Sequence, residues 1–428
     1  MSQFLTGKFL AKTLAVTTTM LMFGATANAA TTEQQQIQEL RQEIEALKAL
    51  VSQQQQVQKT QAVQLQQVKA QPAVESKSSI IPTALTTKGG AEVKVYGFVR
   101  GDANYILDGA DSDFNDVANV GKASAPQVKD KLRATAKTTR LGLDFKTKVE
   151  GADVGGKVEM DFAGSNDTLR LRHAYLTYNN WLFGQTTSNF LSNHAPFMID
   201  FSTNVGGGTT RLPQVRYGFN LAPETQLFIA AEKGDSSGEG KTKYSVPVVT
   251  AKIAQGFADG KGSASARALV EYYKAEAVDK KKTGWGLAGG VTYQVIDPLK
   301  LTADVSYVKG ENKILYGTGA TDAYVINPTN DKIAQNEIWA VQTGATYSIL
   351  PNLKSTIGYG ALFADKDSDY AKLNTSANKN VQQAWINVVY SPVKPIEFGL
   401  EYVNGQRKTF DGQKYDDDRI GMMAKYSF

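Results

Sequence analysis

The chain has 428 residues, no cysteine, two histidines and a formal net charge of +5. Its mean hydropathy of -0.31 excludes a bundle of membrane helices, and the lack of cysteine excludes disulfide staples and thiolate chemistry. Two histidines are too few for a metal centre, no cofactor motif is present, and so weak a charge does not point to nucleic acid.

Residues 1–29 read as a secretory signal peptide. Lys8 and Lys12 precede an apolar run from Leu14 to Ala27, and Ala27-Asn28-Ala29 has the small-x-small form of a cleavage site. Residues 30–71 follow a different rule. Ile37, Leu40, Ile44, Leu47 and Val51 are spaced three and four apart, and Leu65 and Val68 resume the frame, with Gln54, Gln58 and Gln61 at seam positions between. This spacing predicts a coiled coil, because a lone exposed helix of such polarity has little to stabilise it. The a/d pattern leans to a dimer, and the glutamine layers leave the stoichiometry open. Residues 72–91 read as a linker, with Pro72, Pro82 and Gly89-Gly90.

From Glu92 to Phe428 the period changes to two. About sixteen segments alternate apolar and polar residues, from 92–105 to 418–428. Every second connection is a tight turn, such as Asn179-Asn180, Asp297-Pro298 or Leu350-Pro351-Asn352. The long connections include 106–137, 186–212, 234–244, 310–336 and 364–381. A soluble sandwich and a lipid-embedded barrel both use such strands. Only the barrel explains short turns on one side, long loops on the other, and aromatics at one height. Phe219, Tyr293, Tyr347, Tyr390 and Tyr426 all stand on the apolar face just before a short turn or the terminus, and Trp285 and Trp339 mark the opposite rim. The predicted fold is therefore an all-β transmembrane barrel of about sixteen antiparallel strands over residues 92–428, with an N-terminal coiled coil. It belongs in the outer membrane of a Gram-negative bacterium, with outer-membrane lipid around it and the N-terminal segment in the periplasm. A barrel of this size encloses water rather than filling itself with side chains. The best candidate to narrow it is the third external loop, 186–212, with its moderately apolar stretch around Phe201 and Gly206-Gly207-Gly208.

Arginine is scarce and unevenly placed. Arg100, Arg133, Arg140, Arg170, Arg172, Arg211 and Arg216 all lie between the first and sixth strands, and Arg41, Arg267, Arg407 and Arg419 lie elsewhere. By alternation Arg140, Arg170, Arg172 and Arg216 face the lumen. A guanidinium fork matches the two oxygens of a carboxylate, and cationic rings make pores favour anions. The bland alternative is that these arginines only neutralise the lumen acids Asp144, Glu159 and Asp161. Catalysis has no comparable constellation: His173 and His194 lack partners of recognisable spacing, and Gly206-Gly207-Gly208-Thr209-Thr210 lacks the lysine of a phosphate loop. The reading is a pore and not an enzyme.

Val95-Tyr96-Gly97-Phe98-Val99-Arg100 resembles the opening strand of general porins, and Thr139-Arg140-Leu141-Gly142-Leu143 their second-strand motif. Arg172-His173-Ala174-Tyr175, followed by Trp181-Leu182-Phe183-Gly184-Gln185-Thr186-Thr187-Ser188-Asn189-Phe190, resembles the DcaP-like trimeric porins of Gram-negative outer membranes. That resemblance implies a homotrimer, periplasmic coiled coils, uptake of dicarboxylates and similar small anions, and a basic constriction, for which Arg140, Arg170, Arg172, Arg211 and Arg216 are the candidates here. A terminal aromatic such as Phe428 resembles the signal that the barrel-assembly machinery reads. The alternatives are a general or sugar-preferring porin and a structural tether whose working part is the coiled coil. A sugar pore wants an aromatic track along the lumen, whereas most aromatics here are assigned to lipid.

Overall fold

The computed structural model describes residues 84–86, 90–208, 210–318 and 321–428. The expected signal peptide and coiled coil lie outside the described residues. The wall begins with β1 (Glu92–Ala110). The second strand, β2, is broken into an outer piece, Gln127–Thr135, and an inner piece, Arg140–Val149. Then follow β3 (Ala152–Asp161), β4 (Arg170–Tyr178), β5 (Trp181–Thr187), β6 (Arg211–Ala222), β7 (Thr225–Glu232) and β8 (Val248–Phe257). The second half comprises β9 (Gly262–Ala275), β10 (Lys280–Ile296), β11 (Leu299–Lys309), β12 (Glu337–Leu350), β13 (Leu353–Ala364), β14 (Asn378–Val393), β15 (Ile396–Thr409) and β16 (Lys414–Ser427). Two three-residue pieces, Ala84–Thr86 and Thr242–Tyr244, pair onto β1 and β9. The sheet closes where β16 pairs with β1, from Phe98 opposite Ser427 to Asp108 opposite Asp418. Phe428 extends the seam by exchanging backbone hydrogen bonds with Gly97 at 3.0 and 3.2 Å. Closure leaves no unpaired edge, which lipid would not tolerate.

The sixteen strands and their tight turns match the two-residue period of the sequence. Between β2 and β3, Glu150 and Gly151 both adopt positive φ, 50° and 85°, the geometry of a hairpin whose twist fits its strands. The outer face is apolar and exposed: Leu143, Val270, Leu287, Ile357, Ile386, Leu400 and Met422 are each more than a third accessible. Below this belt Phe219, Tyr293, Tyr347, Tyr390 and Tyr426 are exposed as expected. Near the opposite rim Trp285, Tyr307 and Trp339 pack side by side with tilted rings, centroids 5.0 Å apart in each pair. Outer-membrane barrels turn tightly on the periplasmic side, so the opposite connections, L1 to L8 in chain order, face outward; they include L1 (111–126), L3 (188–210), L4 (233–247) and L6 (310–336).

The first loop is shorter than the sequence predicts. Residues 106–110 and 127–135 continue the first hairpin beyond the belt, held by Asp108 with Lys129 at 3.0 Å and Asp111 with Lys131 and Arg133 at 2.8 and 2.9 Å. Cross-strand ion pairs carry the ladder there, where apolar alternation has faded.

Inside, one half of the wall breaks the expectation of a polar lumen. Leu269, Val308, Ile338, Ala340, Leu362 and Val381 on β9, β11, β12, β13 and β14 point inward and are buried. They pack against Val117 and Ala118 of L1, Phe190 and Val205 of L3, and Ile314 and Leu315 of L6. The loops fold into the barrel and form a hydrophobic core against this half of the wall.

Candidate functional site

L3, residues 188–210, is fastened along β7 to β16 and β1. The backbone N–H of Asn189 donates to Glu232 at 2.8 Å. Ser192 donates to Asp304, which also accepts from Arg267 at 2.7 Å in a fully buried pair. His194 sits between Thr292 and Ser265, 3.0 Å from each hydroxyl; burial lowers its basicity, so it holds the loop as a neutral ring. Trp385 and Asn387 donate to the carbonyl of Phe197. Glu401 accepts from the N–H groups of Ile199 and Asp200 at 2.8 and 2.9 Å, and the Arg100 guanidinium donates to the Ile199 carbonyl at 2.7 Å. On the way back Gln342 donates to Asn204 at 2.8 Å. Gly206, at φ +80°, lies so close to β12 and β13 that an added Cβ would stand 2.7 Å from the Val341 carbonyl oxygen and 3.0 Å from that of Ala361.

These anchors leave β2, β3 and β4 as the open side of the lumen. Inward side chains there keep contact with water: Arg140 is 28% accessible, Arg170 36%, Asp144 33% and Lys157 25%. The apolar inward residues of the covered half, Leu269, Val308, Ile338, Ala340, Leu362 and Val381, are below 10%. Water therefore reaches Arg140 and Arg170 on the wall that carries the arginines.

On that wall a β-bulge decides the geometry. Glu159 of β3 pairs with His173, but the next residue, Met160, pairs with Leu171. Arg172 is therefore the extra residue, and Arg172 and His173 both turn inward while Leu171 and Leu176 face lipid. Arg170 grips Asp161 with two hydrogen bonds at 2.9 and 2.7 Å. Arg172 bridges Glu159 at 2.6 Å and Asp161 at 3.1 Å. Arg140 approaches Glu159 at 3.5 Å, and its Nε has no hydrogen-bond partner. Arg211 enters from the end of L3 as a neighbour of Arg172, Arg170 and Arg140. Its buried Nε is unsatisfied, and its guanidinium makes no hydrogen bond or ion pair among the described residues. Four guanidinium groups face two carboxylates, which leaves two positive charges uncompensated and Arg211 without an acid of its own.

The remaining sequence candidates lie apart from this group. Arg216 is 3.4 Å from the Asn189 side chain and stacks over Phe228 at 5.6 Å. Arg133 sits at the outer end, tied to Asp111 and Asp113 at 2.9 and 2.7 Å. Arg100 faces inward, ion-paired with Asp102 at 2.6 Å and bonded to L3. Sequence reasoning passed over Lys252 on β8, an inward lysine opposite Phe228 and Arg267 in the ladder. Strict alternation along 248–257 marks its face, and only its position on the far side of L4 hid its nearness to Arg216.

The profile of the DcaP outer membrane protein family matches residues 16–428. The chain belongs to that family. The crystal structure of the outer membrane channel DcaP of Acinetobacter baumannii is 61% identical, covers 81% of this chain and 100% of its own, and superimposes with a TM-score of 0.77. More distant structures share the fold alone. The outer-membrane protein OmpT of Vibrio cholerae has a TM-score of 0.53 at 15% identity, over 81% of this chain and 100% of that one. An anion-selective porin from Comamonas acidovorans has 0.52 at 11%, over 79% and 100%. None of the curated proteins matches. This DcaP-family chain is an outer-membrane porin of the Gram-negative cell envelope, a closed β-barrel whose relatives are channels.

Proposed function

We propose that the barrel passes small anionic solutes, dicarboxylates among them, by passive diffusion, and that the arginine wall beside L3 selects them. The carrying observation is the unpaired Arg211 next to Arg140, Arg170 and Arg172, with only Glu159 and Asp161 to offset them. Arg211 is unpaired among the described residues, and its two Nη groups can offer a carboxylate two parallel hydrogen bonds, although its Nε is buried. Arg140 and Arg170 are tied but partly exposed, so each offers a further donor as the solute moves along the wall, while Arg172 is buried and adds its charge. Attraction stays weak enough for release, because water reaches the site and screens it. The assay is planar-bilayer electrophysiology with a salt gradient, then with succinate, phthalate and a neutral sugar. Anion selectivity with current block by the dicarboxylates is expected. Cation preference, or block by the sugar alone, would refute the basic constriction and favour a general or sugar pore.

The resemblance to trimeric DcaP-like porins supports a homotrimer, with residues 1–29 removed on export, residues 30–71 as a periplasmic coiled coil, residues 72–91 as the linker and residues 92–428 as the porin domain. Phe428 in the closing seam is the natural handle for barrel assembly. If the channel is the function, deleting residues 30–71 preserves conductance. A tether would lose its role instead.

A further inference from the structure

On the outer face of β9 and β10 the apolar belt reaches Val270 and Trp285, paired in register and exposed. One step outward come Tyr272 and Thr283, then Lys274 opposite Lys281. On its other side Lys274 pairs with Lys243 of the Thr242–Tyr244 piece. Three lysines thus stand side by side across three strands on one face. Like charges directly opposite each other destabilise a sheet. Asp279 pairs with Lys274, and Glu276 is its other acidic neighbour, so the row keeps a positive excess. Lys281 lies 5.8 Å from the centre of the Tyr272 ring. It also lines a cleft of about 490 Å³ with Lys280, Lys282 and Lys332. The one acid there, Asp369, has its own lysine, Lys372, at 3.4 Å. Lys280 is held by the carbonyls of Asn330 and Asp331, which leave its charge in place.

The rim at β15 and β16 differs. Lys408 faces Lys414 there too, but Asp416 and Asp418 follow Lys414 at alternate positions, and Lys414 is 4.0 Å from Asp416. Four residues along a tilted strand raise the lysine row about 10 Å above Val270, out of the hydrocarbon and into the headgroup layer. The outer leaflet of the membrane in which this family resides presents phosphorylated glycolipid at that height.

We propose that Lys243, Lys274 and Lys281 bind phosphate groups of outer-leaflet lipopolysaccharide, with the acyl chains on the Val270–Trp285 belt and the sugar head towards the Lys280–Lys332 cleft. This does not depend on which solutes the channel selects. The test is native mass spectrometry of the full protein in detergent with bisphosphorylated lipid A and with its dephosphorylated form. The wild type should prefer the phosphorylated lipid, and the K243S/K274S/K281S variant should retain it roughly 100-fold less, at about a factor of five per lysine near an anionic surface. The triple arginine variant should keep the preference. Single-channel conductance of the serine variant should stay normal, since these lysines face away from the lumen. Equal retention by wild type and serine variant overturns the proposal. So does a wild type indifferent to the lipid phosphates, a comparison that needs no variant. Displacement of the lipid by millimolar inorganic phosphate would make the row a free-phosphate site and also overturn it.

Discussion

Replacing Arg211 with glutamine isolates the charge that the site does not use internally. The guanidinium has no partner among the described residues, so its loss exposes no carboxylate and breaks no hydrogen bond. The local excess over Glu159 and Asp161 falls from two positive charges to one. A unit charge about 4 Å from a passing ion contributes about 1 kcal/mol in water-like surroundings and about 4 kcal/mol at an effective dielectric of 20. The accessibility of Arg140 and Arg170, 28% and 36%, argues for the smaller value. An anion then loses about 1 kcal/mol and a cation gains as much, which changes their permeability ratio roughly 30-fold. Charges more than about 10 Å away are screened at 0.1 M salt, so the outer rim contributes little. The measurement is the reversal potential across a tenfold KCl gradient, whose ideal limit is about 59 mV. R211Q should move it by tens of millivolts towards the cation side with thermal stability unchanged. R133Q, at the outer rim and tied to Asp111 and Asp113, should move it less. An unaltered reversal potential in a folded R211Q channel would refute the role given to Arg211.

Other parts of the lumen respond differently. Glu401→Ala removes the acceptor of two L3 amides and of the Asn387 side chain, bonds worth about 1.5–3 kcal/mol each for a charged group; L3 should loosen, raising conductance and current noise while weakening selectivity, and a quiet channel of normal conductance would count against the anchor. Gly206→Val forces a branched side chain into φ +80° and against two carbonyls, which should cost more than about 1–2 kcal/mol and displace the same loop, read as altered conductance with intact heat stability of the barrel. L6 should be pH-sensitive. Burial pushes the Glu311 carboxyl from the ordinary 4.5 up to about 7, although it accepts from the N–H groups of Lys313 and Ile314. Between these values the docked loop holds a proton that a released loop would lose, so docking is strongest in acid and weakens as pH rises through this window, by roughly 1–3 kcal/mol. Hydrogen exchange of 311–315, corrected for its intrinsic rate, should be more protected at pH 5 than at pH 8, and the opposite order would sink the assignment.

Much of the barrel was legible because lipid and water impose opposite demands on successive residues. Ile420, Met422, Ala424 and Tyr426 could be assigned to the outer face from spacing alone, and the structure exposes Met422 and Tyr426 there. The same rule failed at β4. Strict alternation from Arg170 through Arg172 would put Leu176 in the lumen, yet Leu176 is exposed to lipid. Only the bulge at Arg172 reconciles them, and a bulge reflects how two strands meet, which one strand's pattern does not record. Leu269, Val308 and Leu362 were equally opaque, since their inward direction is stable only because L1, L3 and L6 cover them.

By itself the sequence determined the strand number, the membrane-facing side, the sidedness of the loops and the crowding of arginine into the first six strands. Each follows from short-range periodicity and composition. The tertiary structure decided which arginines remain available. Arg100 and Arg133 are spoken for by Asp102, Asp111 and Asp113, Arg170 and Arg172 by Glu159 and Asp161, and Arg211 by none of the described residues. That division depends on a loop returning across the lumen to strands more than a hundred residues away, as Ile199 does to Glu401, and on charges meeting through space, where spacing along the chain carries no information.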